Sequence, residues 1–285
     1  MQAFLNGRFI PEEQAVVPIS DRGLLYGDGL FESLRVRQGK PLWWDRHLER
    51  LHRGGQAIHL ALPWSGSALR NFVETLIQQN ELPESLLRLT LTRGSGPTRG
   101  YSPKGAHCPT LAITQHPLPL PLTPLRLATV SWRVCSSDPL ARHKTANRLV
   151  HVLARGEAED SGADEALLLN QEGFVAEAAS SNVFWLDAGS VNTPPLSDGA
   201  LDGVTRALVL ELCQRRHLPT AERRVRPEEL FRADGVFLTN SVMGIHAPSQ
   251  LDQRPLPQSP LIAELSAAYQ GMEDTELAGR SPRGG

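Results

Sequence analysis

Four prolines fall within the nine residues of 116–124, HPLPLPLTP, and they constrain this chain more than any other feature. Each proline removes a backbone donor and fixes φ, so neither a helix nor an interior strand runs through such a stretch. The pattern predicts a Pro-rich linker over 116–124. It separates an N-terminal α/β domain over 1–115 from a C-terminal α/β domain over 125–285. A chain of 285 residues, 40% of them apolar, can fill two cores of that size.

Within these segments strands and helices mix without a strict βαβ cadence, which reads as α/β or α+β. Asn6-Gly7 between apolar residues in AFLNGRFI signals a hairpin. LFESLRV, LLRLTLT and TLAIT read as strands. Asp45 is placed to cap a helix carrying Leu48, Leu51, Gly55 and Ile58, in which the adjacent glycines weaken the helix or allow close packing. Leu69, Phe72, Val73, Leu76 and Ile77 recur at helical spacing. After the linker, LRLATV, EALLLN, NVFWL and GVFLTN read as strands, the turn QEG carries a glycine, and helices are expected over 145–156 and 204–216. A short helix begins at PEEL, and an amphipathic helix precedes a frayed GRSPRGG end.

The formal net charge of -2 gives no attraction to nucleic acid or to an anionic membrane. Cys108, Cys135 and Cys213 are widely spaced with no CxxC, which disfavours zinc or a disulfide framework. There is no basic leader and no run of 18 apolar residues, so a cytoplasmic enzyme is expected. The basic residues are nearly all arginine, which neither forms imines nor loses its proton. Covalent amine chemistry is thus confined to Lys40, Lys104 and Lys144.

Lys144, in ARHKTANRLV, precedes an apolar periodic run. A helix start there would favour the uncharged amine, although a plain surface lysine fits the same residues. YGDGLFE at 26–32 and TRGSGPTRGYSP at 92–103 combine glycines with charged and aromatic groups. They suit an anion site or a glycine-rich turn with solvated arginines. Glu177 lies on a strand edge beside small residues. DGVTRALVLEL at 202–212 offers the N–H groups of Val204 and Thr205 at a helix start, a ready phosphate site. Arg50 follows His47 by one turn, so the two share a face.

Taken in order, several of these segments resemble the branched-chain and D-amino-acid aminotransferase superfamily, pyridoxal 5'-phosphate (PLP) fold type IV. They are NG at 6–7, SDRGLLYGDGLFE at 20–32, RHLERL at 46–51, TRGSGPTRGYS at 92–102, HKTANRL at 143–149, ADEALLLNQEGFVAEAASSNVFW at 163–185 and LDGVTR at 201–206. The resemblance runs from about residue 2 to 250 and is nearest to the aminodeoxychorismate lyase branch. It implies a homodimer of two-domain subunits with the active site between the domains. It makes Lys144 the lysine that carries PLP and Glu177 the carboxylate facing the pyridine nitrogen. Arg50, Val204, Thr205 and Ser241, with Asn240, then hold the phosphate, and Tyr26, Arg99 and Tyr101 bind substrate.

The branch rests on finer features. KTANRL lacks the tyrosine that branched-chain members carry shortly after the lysine. Arg99-Gly100-Tyr101 replaces the Arg-x-His pair of D-amino-acid members. RGSGPTRGYS is similar to the RGxGxRGYS pattern of the lyases with one residue added, and implies cleavage of 4-amino-4-deoxychorismate to 4-aminobenzoate and pyruvate, a folate-precursor step. Phe31-Glu32 is typical of the transaminases instead, which keeps a D-amino-acid or branched-chain transaminase as the alternative. A binding or scaffold protein of the same fold is the non-enzyme alternative, and the retained lysine, carboxylate and phosphate residues argue against it.

Overall fold

The structure is a computed structural model that describes residues 1–96, 100–120 and 124–279. The chain divides into two compact units. One holds Met1–Pro119, the short segment His143–Asn147 and the end of the last helix; the other holds Leu120–Arg142 and Arg148–Thr275.

The first unit is built on a six-stranded sheet ordered β2-β1-β6-β5-β3-β4, from β1 (Gln2–Leu5), β2 (Arg8–Pro11), β3 (Gly29–Arg37), β4 (Lys40–Pro41), β5 (Ser85–Thr92) and β6 (Thr110–Pro117). β1 and β2 form the expected hairpin, pairing Leu5 with Arg8, and Asn6 and Gly7 take φ of 48° and 93°. Those positive values are why an Asn-Gly pair closes this turn. A short α1 (Arg22–Tyr26) precedes β3, and α2 (Trp44–Ala57) and α3 (Gly66–Asn80) follow it. The stripe Leu69, Val73, Leu76 and Ile77 of α3 is buried, and packs with Phe4, Leu34, Leu87, Leu89 and Ile113 of the sheet. The glycine pair of α2 allows close packing: a Cβ on Gly54 would meet Leu30 at 3.0 Å, and one on Gly55 would meet the Leu60 carbonyl at 2.6 Å.

Asp45 does not cap α2. The N-cap is Trp43, in the left-handed region at φ 55°, and Asp45 lies in the first turn. There a carboxylate still favours the helix dipole. β6 continues to Pro117, so the proline stretch begins as the end of a strand, while Pro121, Leu122 and Thr123 lie outside the described residues.

The second unit carries two five-stranded sheets. One, ordered β16-β15-β7-β8-β9, uses β7 (Arg126–Val134), β8 (Glu165–Asn170), β9 (Val175–Ala178), β15 (Gln250–Leu251) and β16 (Arg254–Pro255). The other, ordered β12-β11-β10-β13-β14, uses β10 (Asn182–Asp187), β11 (Ser190–Thr193), β12 (Thr220–Glu222), β13 (Gly235–Asn240) and β14 (Gly244–His246). Leu127, Leu167, Val183, Trp185, Val236 and Leu238 share one core across both sheets. The helices are α4 (Leu149–Asp160), α5 (Val204–Arg215), the short α6 (Pro227–Leu230) and α7 (Pro260–Leu277), whose end belongs with the first unit. α4 buries Ala154 and Ala158 against Val130, Ala166, Leu168 and Ala176. It begins at Leu149, later than the 145 expected from periodicity, because residues 144–146 are held to β3 by backbone bonds instead. No helix among the described residues is long and apolar enough to cross a membrane.

Candidate active site

Lys144 sits in the segment that adds to β3. The Phe31 N–H donates to the Lys144 carbonyl at 3.0 Å, Thr145 bridges Leu30, and the Ala146 N–H donates to Gly29 at 2.8 Å. Backbone pairing on both sides thus fixes where this lysine starts, and its Nζ lies 4.5 Å from the centre of the Phe31 ring. A helix dipole weakens beyond the first turn. With α4 beginning at Leu149, the dipole argument made for Lys144 from sequence no longer applies.

Next to Phe31, Glu32 points inward among Leu30, Leu34 and Val36 and is 1% exposed. Arg50 donates to it twice, Nε to Oε1 at 2.8 Å and Nη2 to Oε2 at 2.5 Å, and His47 Nδ1 meets Oε2 at 2.7 Å. Burial alone would raise the Glu32 carboxyl, but the Arg50 charge and these hydrogen bonds bring it down to about 2. Burial lowers His47 from its ordinary value, assisted by the charges of Arg50 and Lys144 and opposed by Glu32. His47 and Arg50 do share a helix face, as their spacing requires, and that face meets Glu32. A phosphate on Arg50 would share the guanidinium with this carboxylate. His47 Nε2 is buried and finds no hydrogen-bond partner among the described residues.

Tyr26 and Tyr101 stand with ring centres 5.5 Å apart, and the Tyr26 hydroxyl accepts from the Gly100 N–H at 3.0 Å. Arg22, which sequence reasoning passed over, organises this loop. Its Nη1 donates to the carbonyls of Gly100 and Ser102, its Nη2 to that of Tyr101, and its Nε to Asp28, while its guanidinium lies 4.9 Å from the Tyr26 ring. Burial would raise Asp28, but Arg93 and Arg22 outweigh it and hold the carboxyl below its usual range. Tyr101 is left 88% exposed, and Arg99 lies outside the described residues.

A second residue missed from sequence is Arg88. It stands opposite Ser33 on the neighbouring strand, diagonal to Phe31, and its guanidinium covers that ring at 4.0 Å. Phe31 therefore has two cationic neighbours, Arg88 and Lys144. The alternation of LLRLTLT carried the signal, since it puts Arg88 on the same face of β5 as Thr90.

In the second unit, Glu177 lies on β9, the edge strand of its sheet, and is 3% exposed. Its Oε2 accepts from the Leu201 N–H at 2.8 Å and its Oε1 meets His151 Nε2 at 2.8 Å. The Leu201 carbonyl in turn accepts from Asn182 Nδ2 at 2.9 Å. This stitched turn leads to the N-terminus of α5, where Gly203 is the N-cap with no side-chain cap bond and no acid occupies the first turn. A Cβ on Gly203 would lie 2.0 Å from Asn182 Oδ1, so only glycine fits. Val204 and Thr205 are the first helical residues, with N–H groups that have no acceptor inside the helix. Thr205 Oγ1 lies 3.5 Å from Ser241 Oγ, and Asn240 bonds Ser181 and the N–H groups of Val242 and Met243.

These residues fit PLP in kind. The first unit supplies an amine on a backbone-anchored segment. The second supplies a buried carboxylate and an uncapped helix start with hydroxyls, a natural phosphate site. Tyr26, Arg50, Tyr101 and Lys144 belong to the first group and Glu177, Val204, Thr205 and Ser241 to the second.

The architecture is the mixed α/β architecture of PLP fold type IV. Residues 29–248 match the family described as Amino-transferase class IV, and the chain belongs to that family. It is 33% identical over 257 residues to a putative branched-chain-amino-acid aminotransferase of Methanocaldococcus jannaschii, covering 89% of each chain. It is 31% identical over 245 residues to the aminodeoxychorismate lyase of Bacillus subtilis, covering 85% of this chain and 84% of that one. The solved 4-amino-4-deoxychorismate lyase of Pseudomonas aeruginosa superposes with a TM-score of 0.84 at 35% identity, over 94% of this chain and 98% of that one. The family implies PLP as cofactor, and the protein is a PLP-dependent enzyme acting on amino- or keto-acid substrates.

Proposed function

We propose that the enzyme is a 4-amino-4-deoxychorismate lyase releasing 4-aminobenzoate and pyruvate. The observation that carries this reading is the loop that Arg22 holds by three successive carbonyls, presenting Tyr101 beside Tyr26 in the RGSGPTRGYS segment. Two tyrosine rings suit a flat cyclic substrate, and Arg99 and Arg88 are cations for its carboxylates. When bound, PLP supplies an electron sink for charge that develops at the substrate α-carbon. Lys144 Nζ is its covalent anchor and, uncharged, the base that takes the α-proton. Glu177 holds a proton at the ring nitrogen. Val204 and Thr205 N–H groups, with the Thr205 and Ser241 hydroxyls and Arg50, bind the phosphate. The working unit is a homodimer. Leu149, Val152 and Leu153 support this, at 62%, 63% and 39% exposure, as an apolar stripe on the face of α4 opposite its buried alanines.

A transaminase is the second reading, favoured by Phe31-Glu32 and by the 33% identity to the Methanocaldococcus protein. The two differ in their need for an amino acceptor. Supplied with aminodeoxychorismate and no keto acid, the lyase forms 4-aminobenzoate and pyruvate in equal amounts over many turnovers. No product there, with D-alanine or L-leucine turned over only when 2-oxoglutarate is added, assigns the chain to the transaminases.

A further inference from the structure

Glu177 is gripped from two sides inside the second unit. The Leu201 N–H holds Oε2 and His151 Nε2 holds Oε1, both at 2.8 Å. Arg148 Nη1 also approaches His151 Nε2, at 3.4 Å. An arginine nitrogen only donates, so Nε2 cannot accept from Arg148 and donate to Glu177 together. The shorter contact to the carboxylate takes the bond, which puts a proton on Nε2. The other ring nitrogen, Nδ1, is buried and has no hydrogen-bond partner among the described residues. The imidazole therefore has one polar attachment, and it is Glu177.

His151 stands in the first turn of α4, whose inner face is locked in the core by Ala154 and Ala158. Its side chain is 16% exposed and that of Glu177 4%. A ring on a rigid helix thus fixes the rotation of a buried carboxylate whose other hydrogen bond among the described residues comes from a backbone N–H. Resting on the reading of Glu177 as the partner of the PLP ring nitrogen, we infer that His151 is a positioning residue that acts through Glu177. It holds the carboxylate in the one orientation that keeps this nitrogen protonated. Such support of a ligating group changes binding by about 10- to 100-fold where it has been removed at metal sites, which sets the scale expected here.

The test compares the wild-type holoenzyme with His151→Leu, His151→Gln and Glu177→Gln. Two quantities are read: the PLP dissociation constant, and the ¹⁵N resonance of ring-labelled PLP, which reports protonation of that nitrogen. His151→Leu should weaken PLP binding by roughly tenfold and move the ring signal toward the unprotonated position. His151→Gln, whose amide N–H reaches the place of Nε2, should recover most of both. Wild-type affinity and ring signal in His151→Leu, alongside clear changes in Glu177→Gln, overturn the role of His151 alone. Wild-type behaviour in Glu177→Gln overturns the reading of Glu177 and the inference with it. Should His151→Leu not fold, the His151 ring resonances of the wild type decide. A proton on Nε2 whose shift changes in Glu177→Gln supports the contact, and a proton on Nδ1 alone overturns it.

Discussion

Each unit buries one carboxylate against one histidine, and the two carboxylates are treated oppositely. Glu32 in the first unit takes His47 at 2.7 Å and both prongs of the Arg50 fork. Glu177 in the second takes His151 at 2.8 Å and a backbone N–H, and among the described residues no guanidinium bonds to it. A carboxylate matched by an arginine is neutralised within the fold, and its charge is spent on holding β3 to α2. A buried carboxylate without such a partner is left open to a cation that arrives later, as a protonated pyridine does. Burial next to a histidine therefore says little about role, and the third partner decides it.

The largest effect should come from the matched pair. Glu32→Ala removes both carboxylate contacts of the buried Arg50 and that of His47, which costs about 3–5 kcal/mol and lowers the thermal midpoint by about 10 °C. The same pair should show in acid. The folded carboxyl lies at about 2 against an ordinary 4.5, so its contribution is fully present above about pH 4.5 and is lost as pH falls toward 2. That contribution is on the order of 3 kcal/mol. His47, lowered from 6.5, acts in the same direction and starts the loss earlier, as pH falls below 6.5. Urea unfolding from pH 7 to pH 3 measures this, and Glu32→Gln should flatten the acid limb. An acid limb unchanged in Glu32→Gln shows that the pair does not carry the charge balance.

Glu177→Gln should give the reverse profile. The amide keeps the carboxylate's shape and an acceptor for Leu201, so stability should change by about 1 kcal/mol or less. PLP affinity and turnover should fall by roughly 10- to 150-fold, the value of a hydrogen bond to a charged group. Equal damage to stability in Glu177→Gln and Glu32→Gln would erase the distinction between the two carboxylates.

How much of this was legible in the sequence follows from the kind of signal each residue leaves. The hairpin at Asn6-Gly7 and the stripe of α3 follow local rules, one of turn geometry and one of period, and both stand as read. The addition of residues 143–147 to β3 left no trace, because it is made by backbone bonds to a segment more than a hundred residues away. It also displaced the expected start of α4 to Leu149. Lys144, Glu177 and Thr205 stood out only through the order and spacing of whole motifs. Their partners did not, since a hydrogen-bond partner has no fixed offset in sequence. His151 passed as a polar position in an apolar helical run, and Arg22 as part of a turn. Glu32 left a signal that was passed over: an acid in phase with Leu30, Leu34 and Val36 on an alternating strand must find a cation inside.

The smallest effect, and the finest division of the two sites, should come from His47. Removing its bond leaves Glu32 with both arginine contacts, so the charge balance survives. His47→Leu also removes the partnerless buried Nε2, which offsets part of the lost contact. The net cost should be about 1 kcal/mol, a fall of about 2–4 °C in thermal midpoint. PLP affinity should change by less than about threefold, because Arg50 stays in place. The informative result is the pairing of this variant with its counterpart in the second unit. His47→Leu should shift stability and barely touch the cofactor, whereas loss of the His151 donor should do the opposite. If His47→Leu instead weakens PLP binding tenfold with an unchanged midpoint, His47 and Glu32 serve the cofactor through Arg50, and the contrast between the two carboxylates gives way to two arms of one site.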